Sequence, residues 1–272
     1  MKRPIALTLV ILAAAITLRA VELKPQSVEA FDRYVRLTEA RMETEITGAT
    51  PLLALDRLPQ AARDAFVARL KRGEVIVERQ QTLDNGRAIE VKDALLHHWL
   101  GTILIPGVKL DPVIAYVQEY EKYSERFAPT IQRSRLIARH GDHFDVAMRT
   151  RTHKIITVVI DAEYGIDYRP LSPTRMFTKS VSRNVMEVDK AGEPGERRTP
   201  AEHGTGYLWR LYNYCWFDER AEGVFEQCES ISLTREVPFG LGWLVKPFIT
   251  GLPRETVQFT LGKVREGVTK KN

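Results

Sequence analysis

Residues 206–248 read GYLWRLYNYCWFDERAEGVFEQCESISLTREVPFGLGWLVKPF. The first part alternates at period two, breaks near Ala221-Glu222, and resumes alternation to Arg235, which predicts two antiparallel strands near 206–217 and 224–235. With the turn centred at 221–222, Cys215 and Cys228 fall directly opposite each other. A cross-strand disulfide and two free buried thiols are both open readings. Pro238 to Gly251 then carries Phe239, Leu241, Trp243, Leu244, Val245 and Phe248 among glycines and prolines. That segment is too broken for a core helix. It predicts a connection to the helix that opens at Pro253, either plugging the core or closing over an apolar ligand.

Working outward, strands are predicted near 131–139, 143–151, 154–168 and 174–188, with a polar loop at 189–205 (DKAGEPGERRTPAEHGT) before the pair. Upstream, Leu95–Ile105 is extended, and Asp111-Pro112 starts a helix reaching Arg126. EVIVERQQ (74–81) is strand-like and precedes the hairpin signal Asp84-Asn85-Gly86. Val28, Phe31, Val35, Thr38, Met42 and Ile46 give a helix over 27–47, and a second runs from Pro59 to Gly73. The closing helix carries Val257, Thr260, Leu261 and Val264 on one side. Successive strands with short turns make an antiparallel meander, and its apolar face needs a helix to bury it. The expected architecture is therefore α+β: a curved seven-stranded antiparallel sheet wrapped round a long C-terminal helix, with extra N-terminal helices.

Met1-Lys2-Arg3, the uncharged 14-residue run Ile5–Leu18 and Arg19-Ala20 have the layout of a secretory signal peptide. The run is short of a membrane span, although an uncleaved anchor is the alternative reading. Export to the periplasm is the expectation. The net charge of +5 is partly a property of this leader: without Lys2, Arg3 and Arg19, 37 basic residues face 35 acidic ones. That balance gives no basis for a nucleic-acid partner. The expected organisation is a leader (1–20), a helical extension (21–73), the sheet-and-helix domain (74–268) and a frayed tail (269–272).

HHWLGTILIPGV (97–108), DPVIAYVQEYEKY (111–123), GYLWRLYNYCWF (206–217), EQCESISLTREVP (226–238) and PRETVQFTLGKVR (253–265) together resemble the START-like, helix-grip or SRPBCC superfamily. This is the birch-pollen-allergen type of fold, and the likeness is to its exported bacterial branch. The resemblance implies a hydrophobic cavity between sheet and C-terminal helix. It implies as partner a hydrophobic small molecule or lipid, with transient membrane contact at the mouth. Oligomeric state is left open, and no cofactor is implied.

The candidate ligand-binding residues are Trp99, Trp209, Phe217, Arg210, Glu229, Trp243 and Phe248. In the expected register Arg210, Glu229 and Arg235 share one sheet face, while Tyr207, Trp209, Leu211, Asn213 and Phe217 share the other. Alternation does not say which face lines the cavity, and Arg210 with Glu229 can equally pair as a surface ladder. His97 and His98 point to opposite faces, so both cannot easily hold one ion. As an acid/base, either would support the alternative reading of a cyclase- or hydrolase-type enzyme. A third reading is an interaction module with a filled core. HGDHFD (140–145) reads as a solvated turn. GxSxG, HExxH, GxGxxG and Walker-type loops are absent from the sequence, and no metal motif uses the cysteines.

Overall fold

The computed structural model describes residues 22–154, 156–236 and 242–271, with backbone only at 242–250 and 271. The expected signal peptide (1–20) lies outside them. Helix α1 (Pro25–Ile46) is followed by a 3-10 turn (Ala54–Arg57) and α2 (Gln60–Lys71). Strand β1 (Ile76–Arg79), the small hairpin β2 (Leu83–Asp84) and β3 (Arg87–Ala88), and β4 (Ala94–Pro106) come next. After α3 (Leu110–Gln118), a 3-10 turn (Tyr120–Lys122) and α4 (Tyr123–Arg126), the chain forms β5 (Ile131–His140), β6 (His143–His153), β7 (Thr157–Ser172) and β8 (Arg175–Asp189). It ends with β9 (Arg197–Pro200), β10 (Arg210–Arg220), β11 (Gly223–Arg235) and α5 (Gly242–Lys271). The main sheet has the order β1-β4-β11-β10-β8-β7-β6-β5, with β9 on β8, and every pairing is antiparallel.

Helix α5 lies on one face of this sheet, here called the inner face. Val257 and Leu261 sit over Gly101 of β4, while Glu255 pairs with Lys154 beyond the end of β6 at 2.5 Å. Four strand steps separate β4 from β7, about 19 Å if the sheet were flat. Helix residues two apart can reach both only if the sheet curls round the helix. The curled sheet and its C-terminal helix are the helix-grip architecture expected from the sequence.

Gly101 makes this docking possible. A Cβ there would stand 2.5 Å from both Val257 Cγ1 and Leu261 Cδ1. Gly101→Ala should therefore lever α5 outward and cost about 1–3 kcal/mol, as overpacked cores do. A thermal melt checks this, and an unchanged melting temperature would mean that α5 is not seated on β4. At Gly223, φ is +133° and a Cβ would lie 2.1 Å from the Ile105 carbonyl. Only glycine closes the β10–β11 turn against β4.

The outer face is covered by α1. Its stripe buries Phe31, Tyr34, Val35, Thr38 and Met42, the periodicity expected, each large apolar side chain contributing roughly 1.5–3 kcal/mol on burial. Ring contacts such as Phe31 on Tyr212 seat the helix over β10.

Four differences from the sequence reading have physical reasons. The sheet has nine strands rather than seven, because β1 joins the edge of β4 and β9 forms inside the expected 189–205 loop. The expected helix to Arg126 breaks at Glu119, where ψ is 63°: Tyr123 Oη donates to the Val117 carbonyl and Arg126 to that of Tyr116, ending α3 with side chains. The N-terminus of α3 is capped by the Glu219 carboxylate, accepting from Leu110 N–H at 2.8 Å, a partner 109 residues away. Lastly, α5 begins at Gly242 rather than Pro253, so residues 242–251 are the first turns of the gripping helix and not a connecting loop. Proline disfavours a helix interior by about 3 kcal/mol, but propensity is a weak prior that tertiary context overrides. The helix also continues through 269–271, where the sequence predicts a frayed tail.

Candidate functional site

Directly paired residues share a face, so the register maps the inner wall row by row. One row is Ile103, Glu226, Phe217 and Met176; the next is Gly101, Cys228, Cys215, Thr178 and Tyr168. Beyond it lie Trp99, Ser230, Asn213, Ser180 and Ile166, then His97, Ser232 and Leu211. Strands flank both sides of these positions, yet Trp99, Leu211, Asn213, Cys215, Cys228, Met176 and Ser180 are only half-buried. Their neighbours pointing the other way, Tyr214, Trp216, Ile231 and Leu233, are 0% exposed beneath α1. The middle of the sheet is thus less tightly covered on the gripped side at these positions than beneath Tyr214, Trp216, Ile231 and Leu233.

The wall changes character along the strands. Ser230, Asn213 and Ser180 form a neutral polar row across three adjacent strands. Toward α3 and α4 the wall becomes aromatic, with Phe217, Tyr168, Tyr120 and Tyr123. Tyr120 and Tyr168 share a hydroxyl hydrogen bond of 2.6 Å, and burial pushes both phenols well above their ordinary range. Cys215 and Cys228 are joined as a disulfide in the wall, which selects the oxidised reading. Their sulfurs and a Glu226 oxygen lie within 4.8 Å of one another. Because the sulfurs are bonded together, the thiolates a metal would need are already spent.

Glu226 is 3% exposed and sits between Ile103 and Phe217. Among the described residues its Oε2 has no hydrogen-bond partner, and Oε1 lies 3.5 Å from Cys228 Sγ, which as a disulfide sulfur has no hydrogen to donate. Burial pushes the carboxyl up to about 8, so it carries a proton at neutral pH.

Glu229, three residues on, has the opposite environment under α1. It accepts from His98 Nε2 at 2.8 Å and from Arg41 at 2.6 Å. Tyr34 Oη accepts from Thr82 N–H and lies 2.8 Å from His98 Nδ1. The imidazole of His98 thus links Tyr34 of α1 to Glu229 of β11, with both ring nitrogens hydrogen-bonded. Burial raises the Glu229 carboxyl, but the His98 hydrogen bond and the Arg41 charge outweigh it and hold it below its usual value.

The predicted residues thus divide. Trp99 and Phe217 are on the inner wall. Glu229 and Arg210 are on the opposite face, Glu229 sealed under α1 and Arg210 paired with Glu202. Arg210 borders a separate cleft of about 440 Å³ with Leu23, Pro25, Val28, Asp32 and Arg36. Trp209 is fully buried and donates to the Ala201 carbonyl, holding the β9–β10 connection. The side chains of Trp243 and Phe248 lie outside the described residues. His97 is 3.0 Å from Thr234 Oγ1, and burial, helped by Arg79, pushes it down to about 4, leaving it neutral. His143 of HGDHFD bonds Asp167 and Asp145 at the surface. Sequence reading missed Glu226 as a site residue. The available signal was its alternation with Cys228, Ser230 and Ser232, which places an acid on the cysteine face.

No family model and no curated protein matches the sequence. Among solved structures, a fragment of a STAR-related lipid transfer protein from Xanthomonas axonopodis is 12% identical with a TM-score of 0.47, over 70% of this chain and 98% of that one. Human STARD10 is 12% identical with a TM-score of 0.45, over 79% and 81%. The Zhui aromatase/cyclase from Streptomyces sp. R1128 is 10% identical with a TM-score of 0.43, over 65% and 96%. These are likenesses of architecture, and they speak to neither ligand nor reaction here.

Proposed function

We propose that the space between the inner wall and α5 takes up a hydrophobic small molecule or lipid, and that the protein carries or senses it outside the cytoplasm. The observation behind this is that Trp99, Asn213, Cys215, Cys228 and Ser180, flanked by strands on both sides, are only half-buried on the inner wall, while Tyr214, Trp216, Ile231 and Leu233 on the other side are fully buried. Apolar burial supplies the affinity, about 0.8 kcal/mol per CH₂ removed from water. The neutral polar row would set orientation. A disulfide in the wall fits an oxidising compartment, which supports export. The histidine-based enzyme reading loses support, since His98 is tied beneath α1 and His97 is bonded to Thr234.

Native mass spectrometry of protein purified from a Gram-negative periplasm, followed by solvent extraction, tests the proposal. A discrete apolar adduct is expected. Ser180→Phe, which fills half-buried space on the wall, should abolish the adduct while shifting the melting temperature by only a few degrees. A clean apo mass with no uptake from fatty-acid, phospholipid or neutral-lipid pools would overturn it.

A further inference from the structure

Resting on that reading, we propose that Glu226 is the deep hydrogen-bond donor of the site, and that the ligand presents to it an uncharged oxygen acceptor such as an ester or ketone carbonyl. An ionised head group is not what this wall receives. The lining of the wall and the state of Glu226 both point this way. The Glu226 Oε2 is buried, lies on the inner wall and lacks a partner, a costly arrangement for a group that a leucine could replace. The rows around it, from Ile103 to Ile166, contain no lysine or arginine to receive a phosphate or carboxylate; the row through Ile166 meets a cation only two strands further on, at Arg139 stacked on Phe144. The next polar groups along the wall, Ser230, Asn213 and Ser180, are neutral.

The surroundings of Glu226 leave it free to act as a donor. Beside it, β4 contributes Ile103 and β10 contributes Phe217. The titratable groups that face it are Tyr123 from α4 and Tyr168 from β7, with Tyr120 behind, and both facing phenols feel its charge. Tyr123 already donates to the Val117 carbonyl. The apolar side of α5, with Val257, Leu261 and Val264, has no ionisable group. A protonated carboxyl that meets no base and no cation among the described residues is free to donate to what enters the space.

The test compares three probes of equal chain length on the full chain by titration calorimetry: a long-chain methyl ester, the corresponding fatty acid and the alkane. At pH 6.5 wild type is expected to favour the ester over both others by about tenfold. At pH 9.5 the ester should weaken about tenfold in wild type, because ionised Glu226 cannot donate. Glu226→Gln keeps a donor and should bind the ester equally at both pH values. Glu226→Leu should lose the ester's advantage over the alkane at both pH values. Equal binding of ester and alkane to wild type, preference for the fatty-acid anion, or an unchanged Glu226→Leu profile would each overturn the role of Glu226 while leaving the site intact. Failure of all three probes to bind would overturn the site itself.

Discussion

Replacing Glu226 by glutamine should stabilise the protein at pH 7 by about 3 kcal/mol, raising its melting temperature by roughly 6–12 °C. The sign follows from where the proton sits. In the unfolded chain the carboxyl titrates near 4.5, and in the folded chain burial moves it to about 8. Between those values the folded state holds a proton that the unfolded state has released. Stability therefore falls as pH rises from 4.5 to 8, and stays at the lower level above that. Glutamine does not titrate, so its advantage vanishes below about pH 4.5 and is greatest above 8. Melts of both proteins from pH 4 to 9 check this. A constant offset between the two curves would mean that Glu226 is not protonated in the fold.

Glu229 should behave in the opposite way. Glu229→Ala removes the carboxylate from buried His98 and from half-exposed Arg41, leaving His98 Nε2 without its acceptor and Arg41 with Glu45 alone. Leaving a buried donor unsatisfied costs about 1–3 kcal/mol. Its folded carboxyl is held below the unfolded value, so the stability it contributes is present above about 4.5 and lost as pH falls through the folded value. The gap between wild type and Glu229→Ala should thus be wide at pH 7 and close in acid. The double variant Arg41→Met, Glu229→Leu should regain only part of the loss, because packed apolar groups need no partner but buried His98 Nε2 still lacks its acceptor. If it is as unstable as the single variant, the network stabilises through more than charge pairing. Two equally buried acids three residues apart on one strand then have opposite pH signatures, because Glu229 has His98 and Arg41 to hold its charge and Glu226 has burial alone.

That alternation also marks how far the sequence could be read. The stripe of α1, the strand order from β5 to β8 and the pairing of Cys215 with Cys228 are local or near-local patterns, and periodicity carried them. Which face of β10 and β11 is open depends on α1, whose partners are more than a hundred residues away, so Arg210 and Glu229 could not be separated from Trp99 and Phe217. The cap of α3 by Glu219 has the same remoteness. The onset of α5 was hidden because its prolines and glycines argue locally for a break. Glu226 stood in plain view among the charges of its strand, but its significance comes from partners it lacks.

The seating of α1 has a consequence for how the chain is made. Arg41 meets Glu229 across 188 residues, and β11, which bears Glu229, is the last strand to leave the ribosome although it lies between β4 and β10. At about 5–20 residues per second, α1 is finished roughly 10–40 s before its binding surface exists. During that interval Tyr34 can find Thr82 and His98, but Phe31 has no Tyr212 to pack on. A chain stopped short of β10 and β11 would therefore leave part of the apolar stripe of α1 uncovered.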